Sequence, residues 1–227
     1  MDINVRELLT RTVGFFLLFG LALFVPAGNV RWVAGWIYLI LYFGFVTAIT
    51  AWLFGYDREL LKERMTVFTP DQKVWDRALM QLVGILFIVW ILLMPLDAVR
   101  FRWSHMPPWL QMVGAAFLVC SFYIFYLAMR TNPYLSPVVR IQEDRSQRVV
   151  NTGPYRYVRH PMYSGAIFFI EGTALLLGSW YGLFFGLTLV CVIARRAMLE
   201  EETLRSELEG YNAYMGRVRY RLIPGIW

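Results

Sequence analysis

Six apolar stretches, divided by short polar segments, constrain this chain more than any other feature of its sequence. They cover about residues 13–26, 33–54, 79–96, 109–129, 164–177 and 181–194. A helix needs roughly 20 residues to cross the hydrocarbon core of a bilayer, and the second, third and fourth stretches reach that length. The first does so only if Leu8 and Leu9 extend it. With several spans following, it reads as an uncleaved helix and not as a signal peptide ending near Ala27. The last two stretches are short and are parted only by Gly178, Ser179 and Trp180. They read as a tight helical hairpin whose second helix runs on through Arg195 and Arg196 towards Gly210, a residue suited to a helix C-terminus.

The expected class is therefore all-α: a polytopic membrane protein with about six membrane-embedded helices, the last two a short hairpin, followed by a C-terminal helix. Composition agrees, since 58% of residues are hydrophobic and only 17% charged, the reverse of the balance in disordered or coiled-coil chains. No internal repeat or low-complexity linker divides residues 1–227, which read as one domain with N-terminal spans (1–131) and a polar-rich C-terminal part (132–227).

The net charge of +6 resembles a nucleic-acid signal until its distribution is read. Alternating sides along the spans, nineteen of the 22 Lys and Arg residues fall on one side and three (Arg31, Arg100, Arg102) on the other. Cytoplasmic segments carry such an excess, so the expectation is a multi-pass protein with both termini cytosolic and no nucleic-acid partner. Cys120 and Cys191 lie inside apolar runs and form no metal-ligand spacing, and His160 has no second ligand near it, so no metal site is expected.

Polar residues concentrate at the cytosolic side. The segment Asp57-Arg-Glu-Leu-Leu-Lys-Glu-Arg64, followed by a turn-rich stretch through Pro70 and Asp71, suggests a short interfacial helix with local ion pairs, or simply a solvated connector. Residues 132–163 hold four prolines interleaved with valine pairs and Tyr134, Tyr155, Tyr157 and Tyr163. A connection this long is functional or disordered as a rule, and its aromatic and branched content argues for order. Beyond the last span, Arg196 and Glu200 stand four apart on one helix face and are spaced to pair. Three consecutive glutamates, from Glu200 to Glu202, cannot all face one way. Glu171 is the one acid inside an apolar run, which marks it as a functional candidate unless it bonds Ser164, Thr173 or Tyr181. Nucleotide-binding glycine loops and the common hydrolase motifs are absent.

The run Gly153-Pro-Tyr-Arg-Tyr-Val-Arg-His-Pro-Met-Tyr-Ser-Gly165, then Arg196-x-x-x-Glu200-Glu201-x-x-Leu204, Gly210-Tyr-x-x-Tyr214 and Arg221-Leu-Ile-Pro224, resembles the isoprenylcysteine carboxyl methyltransferase family and its prokaryotic relatives. The likeness covers residue 132 to the C-terminus, and the DRELLKERM stretch is also similar to prokaryotic members. The resemblance implies S-adenosyl-L-methionine as cofactor, enclosed by the C-terminal part against the cytosolic helix ends, with the acceptor entering from the membrane lipid. By matching position it implies cofactor contacts from Arg140, Gln147, Arg148, Val149, Val150, Tyr155, His160, Pro161, Met162, Tyr163 and Glu200, and an acceptor-side catalytic role for Arg196. Arg140 departs from eukaryotic members, which carry a neutral amide there. Glu171 has no counterpart and is kept as a second catalytic candidate. The location implied is a prokaryotic plasma membrane.

The reaction implied is methyl transfer to a lipophilic or prenylated acceptor, foremost carboxyl O-methylation of an isoprenylcysteine-like substrate. A small thiol, an isoprenoid and a phospholipid amine are the other acceptors open to it. Two further readings stand beside these: an NADPH-dependent enzyme like the sterol reductases, which have more spans than this chain, and a non-catalytic transporter or scaffold, for which paired interrupted helices would be expected.

Overall fold

The computed structural model describes residues 5–66 and 71–227; the turn expected through Pro70 lies outside the described residues. Eight α-helices follow one another: α1 (Val5–Ala27), α2 (Val33–Tyr56), α3 (Arg58–Met65), α4 (Val74–Pro95), α5 (Pro108–Thr131), α6 (Pro161–Leu177), α7 (Trp180–Glu207) and α8 (Tyr211–Arg217). Five of these are long and apolar enough to cross a membrane, and α6 is a shorter apolar helix beside them. The first span includes Leu8 and Leu9, as its length requires. Leu17, Leu21, Val25, Ile40 and Ile85 are exposed on the bundle surface, a pattern made for lipid. This is an integral membrane protein.

Helices α6 and α7 form the expected hairpin. Gly178 turns the chain at φ 82°, a left-handed conformation that costs glycine nothing, and the Ser179 hydroxyl caps α7 by accepting from the Gly182 N–H at 2.8 Å. The second helix of the pair is longer than its apolar stretch, because 28 residues run unbroken to Glu207. Helix α7 ends on Leu208 in an extended conformation, so Gly210, expected as its C-terminal cap, instead stands left-handed at the start of α8.

Lipid offers no hydrophobic reward for bringing apolar helices together, so close packing and buried hydrogen bonds must do it. The α5–α6 contact shows how: Gly114 and Gly172 face each other so closely that a Cβ on Gly114 would clash with the Leu176 backbone nitrogen and the Gly172 carbonyl. Between α4 and α7, buried Trp90 donates its indole N–H to the Gly182 carbonyl at 2.8 Å. Leu23, Tyr38, Trp90, Met94, Leu118, Leu177 and Leu189 fill the centre.

Two features depart from the sequence expectation. Helix α4 continues into a π-helical turn, Leu96–Phe101, which carries Asp97 inward at the end of the bundle far from the loop. The long connection is ordered mainly by side chains, with two short 3-10 turns, Glu143–Arg145 and Gly153–Arg156, as its regular structure. It folds back over the ends of α3, α4 and α7, and the C-terminal segment pairs with it through a parallel bridge of Val158 and Tyr220.

Candidate active site

Helix periodicity builds the inner wall of the site. On α7, Ile193, Arg196, Glu200 and Leu204 recur at three- and four-residue steps and face one cavity. Met80 and Val83 of α4, Phe125 of α5 and Ala166 of α6 meet them from the other sides. The loop closes the opposite wall with Val138, Val149, Val150 and Tyr155. The cavity encloses about 370 Å³, within the range of small-molecule and cofactor pockets. One end is polar and lies under the loop, whereas the other is apolar and points between the spans.

Arg196 is the hub of the polar end. Its Nε donates to Asp76 Oδ1 at 2.7 Å, one terminal nitrogen donates to the Tyr163 hydroxyl at 2.7 Å, and the other to the Pro137 carbonyl at 2.9 Å. Asp76 is fully buried in the first turn of α4 and is satisfied by Gln72 Nε2 and the Val139 N–H, each at 2.9 Å. The pairing of Arg196 with Glu200 expected from their spacing does not form. The Tyr163 hydroxyl lies between them, accepting from Arg196 and donating to Glu200 Oε2 at 2.5 Å. A guanidinium has five N–H donors, so Arg196, held by three contacts, keeps donors for a ligand. The second oxygen of Glu200 has no partner in the protein among the described residues.

The neighbouring glutamate faces away from the cavity and does different work. Glu201 accepts from Arg159 and Arg221, both by paired contacts of 2.9–3.2 Å. Backbone N–H groups of Arg159 and His160 donate to Tyr220 and Arg221 carbonyls at 2.9 Å, and the Ser164 hydroxyl donates to the Leu222 carbonyl at 2.6 Å. These contacts strap the C-terminal segment across the loop. His160 is thereby fixed on the cavity wall, where its buried Nε2 makes no hydrogen bond and lies 3.5 Å from Glu201.

The loop's own titratable groups are settled by their surroundings. Burial raises the Tyr155 phenol above its usual range although Asn132 donates to its oxygen at 3.1 Å. Burial likewise pushes Tyr214 up to about 12, and its hydroxyl donates to the Tyr155 carbonyl at 2.8 Å. Both phenols are neutral near pH 7. Arg140 is bound to Glu63 at 3.0 Å, to Asp71 at 2.9 Å and to Asp144 at 3.4 Å. Burial favours the neutral form of Glu63, but the hydrogen bonds from Arg140 and Ser136 outweigh it and hold this carboxyl below its ordinary range.

All eleven residues named as cofactor contacts line this one cavity, and Arg196 joins them. Arg140 is there with its donors committed to acids, which makes it a clasp between loop and α3. Glu171 is elsewhere. Five positions beyond cavity-lining Ala166, it lies about 140° around α6 and roughly 7.5 Å deeper, against Gly186 of α7. Both its oxygens are buried without a hydrogen bond, so the contacts considered with Ser164, Thr173 and Tyr181 are not made. Sequence reasoning missed Asp76, Arg64 and the apolar α4 residues. An acid at the edge of an apolar run looks like any boundary charge until the arginine 120 positions later meets it.

Residues 109–209 match the phospholipid methyltransferase family, which shares a clan with the isoprenylcysteine carboxyl methyltransferases. Over those residues the chain is similar to that family. The likeness lies in the segment holding the loop, the hairpin and the Arg196–Glu200 face. No curated protein matches the chain. Asp76, Arg64 and the C-terminal strap lie outside the matched segment, which is thus completed by elements on both sides of it.

Proposed function

We propose that this protein transfers a methyl group from S-adenosyl-L-methionine to a lipophilic acceptor, with carboxyl O-methylation of an isoprenylcysteine-like substrate as the leading reaction. The observation that carries the reading is the shape of the cavity: a polar end under a strapped loop, continuous with an apolar end made by Met80, Val83, Phe125, Ala166 and Ile193. A polar donor and an apolar acceptor need such a pair of surroundings in one space. The residues present fit the donor. The open oxygen of Glu200 suits an ammonium or a ribose hydroxyl, and Tyr155 with the two valines offers faces for a purine.

When bound, the cofactor supplies an electrophilic methyl on a sulfonium. The chain's contribution is placement and exclusion of water. Tyr163 holds Glu200 in one orientation by donating to it, and the same hydroxyl steadies Arg196 from the other side. Arg196 keeps donors that orient an acceptor oxygen, and Asp76 keeps the arginine from swinging away. The apolar end excludes water from an in-line displacement, where positioning accounts for much of the rate. A carboxylate acceptor is already a nucleophile, so no side chain has to remove a proton. Tyr155 remains a neutral group beside the donor.

The family match favours a second acceptor, the amine of a phospholipid. That acceptor must lose a proton, and Glu200 is the one carboxylate in the cavity wall among the described residues. The loop end of the bundle would be cytosolic, where the donor is made, which agrees with the charge distribution. Mass spectrometry of lipids and of a prenylcysteine, each incubated with the protein and an isotopically labelled methyl donor, tests the reading. Label on the prenylcysteine carboxyl supports the leading reaction and label on the phospholipid amine supports the second. Label on neither, with the donor bound, refutes both acceptors.

A further inference from the structure

Helix α3 brings another arginine to the cavity. Leu60 and Leu61 are buried, and Arg64, four residues beyond Leu60, shares their inward side and lines the cavity. The helix is held in place from both ends. Asp57 caps its first turn by accepting from the Leu60 N–H at 2.9 Å, and Glu63 is bound to Arg140 of the loop.

Four other arginines line the same cavity. Arg196 has Asp76, Arg159 has Glu201 and Arg140 has Glu63, while Arg148 is exposed to water. Arg64 is half-buried, and among the described residues it has neither a hydrogen bond nor an ion pair. Arginine keeps its proton at any ordinary pH, and a cation drawn out of water without a counter-charge is costly. Burial pushes the Arg64 guanidinium down from its usual value; Tyr155 acts against this and the nearby Arg196 with it. A leucine would suit an inward position on α3 better, unless an anion arrives with the ligand.

We infer that Arg64 binds an oxyanion of the ligand in this cavity, a carboxylate or a phosphate. The inference rests on the methyltransferase reading and adds the charge of the group recognised. Two sources carry that chemistry: the amino-acid end of the donor, and the head group of an acidic lipophilic acceptor. Tyr155 and Arg196, which line the same cavity as Arg64, belong to the donor side and the acceptor side of the proposed site respectively.

The test uses full-length protein in neutral detergent, as wild type, Arg64→Met and Arg64→Lys, with calorimetric titrations and a thermal melt of each. The donor arm compares S-adenosylhomocysteine with 5′-methylthioadenosine, which lacks the amino-acid end. The acceptor arm compares dodecanoate and dodecyl phosphate with dodecanol. Arg64→Met is expected to lose about tenfold or more in affinity for the charged member of one arm, to keep its affinity for the uncharged member and to melt like the wild type. Arg64→Lys is expected to recover part of the loss. Unchanged affinities in Arg64→Met overturn the inference, as does an equal loss for charged and uncharged members, which would mark Arg64 as structural. If Arg64→Met does not fold, Arg64→Lys decides: wild-type melting with weakened binding of a charged probe alone supports the inference, and unaltered binding of every probe overturns it. Wild-type protein that binds no S-adenosylhomocysteine but binds dodecyl phosphate through Arg64 would refute the methyltransferase reading and leave the anion site standing.

Discussion

Helix α4 and the π-helical turn that continues it carry a buried carboxylate at each end, and the two make opposite use of burial. Asp97, at the far end, accepts from the Ser104 and Ser179 hydroxyls, which in turn accept from the Trp180 and Gly182 N–H groups. It ties the π-helical turn to the hairpin with neutral donors, all of them facing protein. Asp76, at the loop end, is bound to a cation whose remaining donors face a cavity. Both acids are fully buried, so burial alone does not separate structure from function. What separates them is the state of the partner: at Asp97, whose Oδ1 stays buried without a hydrogen bond, the serine partners finish their bonding within the fold, and at Asp76 the partner is held in place and left unfinished.

That contrast breaks first, if it is wrong, at Arg196. Arg196→Ala is expected to lower methyl transfer at least a hundredfold and to destabilise the protein by about 3–5 kcal/mol, because Asp76 is left as an unpaired buried charge. Adding Asp76→Asn should restore most of the stability and none of the activity; a double variant with wild-type turnover would remove Arg196 from the site. Glu200→Gln comes next. S-adenosylhomocysteine affinity should fall about ten- to a hundredfold, as for the loss of a hydrogen-bonded charge, with the melting temperature nearly unchanged. Calorimetry on this variant also sharpens the acceptor question, since turnover of an amine would be abolished and turnover of a carboxylate only weakened at saturating donor.

Asp97→Ala is the mirror experiment. A loss of about 1–3 kcal/mol is expected from the broken hydrogen bonds, read as a lower melting temperature, while donor affinity stays at the wild-type value. A drop in affinity as large as that of Glu200→Gln would end the distinction between the two ends. The smallest effect is expected at the α3–loop clasp. The Glu63 carboxyl is held below its ordinary value, so its contribution is complete above the usual glutamate range and is lost as pH falls through the lower folded value. Loop protection in hydrogen exchange should therefore weaken on acidification below about pH 4.3, and Glu63→Gln should show the weak protection already at neutral pH. Asp71 and Asp144 also face Arg140, which limits the size of the change.

The spans, the hairpin turn at Gly178 and the ordered loop were legible in the sequence because each is a local pattern: apolar length, a glycine, clustered prolines with aromatics. The cavity residues on the loop and on α7 were legible through motif resemblance. Three things were not. Asp76, Met80 and Val83 belong to a span whose sequence is apolar apart from Asp76, Arg77 and Gln81, and only the packing of α4 on α7 selects them. The Arg196–Glu200 spacing is correct for an ion pair, yet a hydroxyl from α6 entered between them, which helix periodicity cannot anticipate. Glu171 drew attention as the lone acid in an apolar run, but its rotation about α6 places it on the hairpin contact at Gly186.

The central claim is that the cavity under the loop is the methyl-donor site, and a direct binding titration tests it. Purified protein in neutral detergent should bind S-adenosylhomocysteine at one site, with affinity reduced by Glu200→Gln, and should not bind NADPH. Binding of NADPH without S-adenosylhomocysteine, or donor binding indifferent to Glu200, would contradict the account.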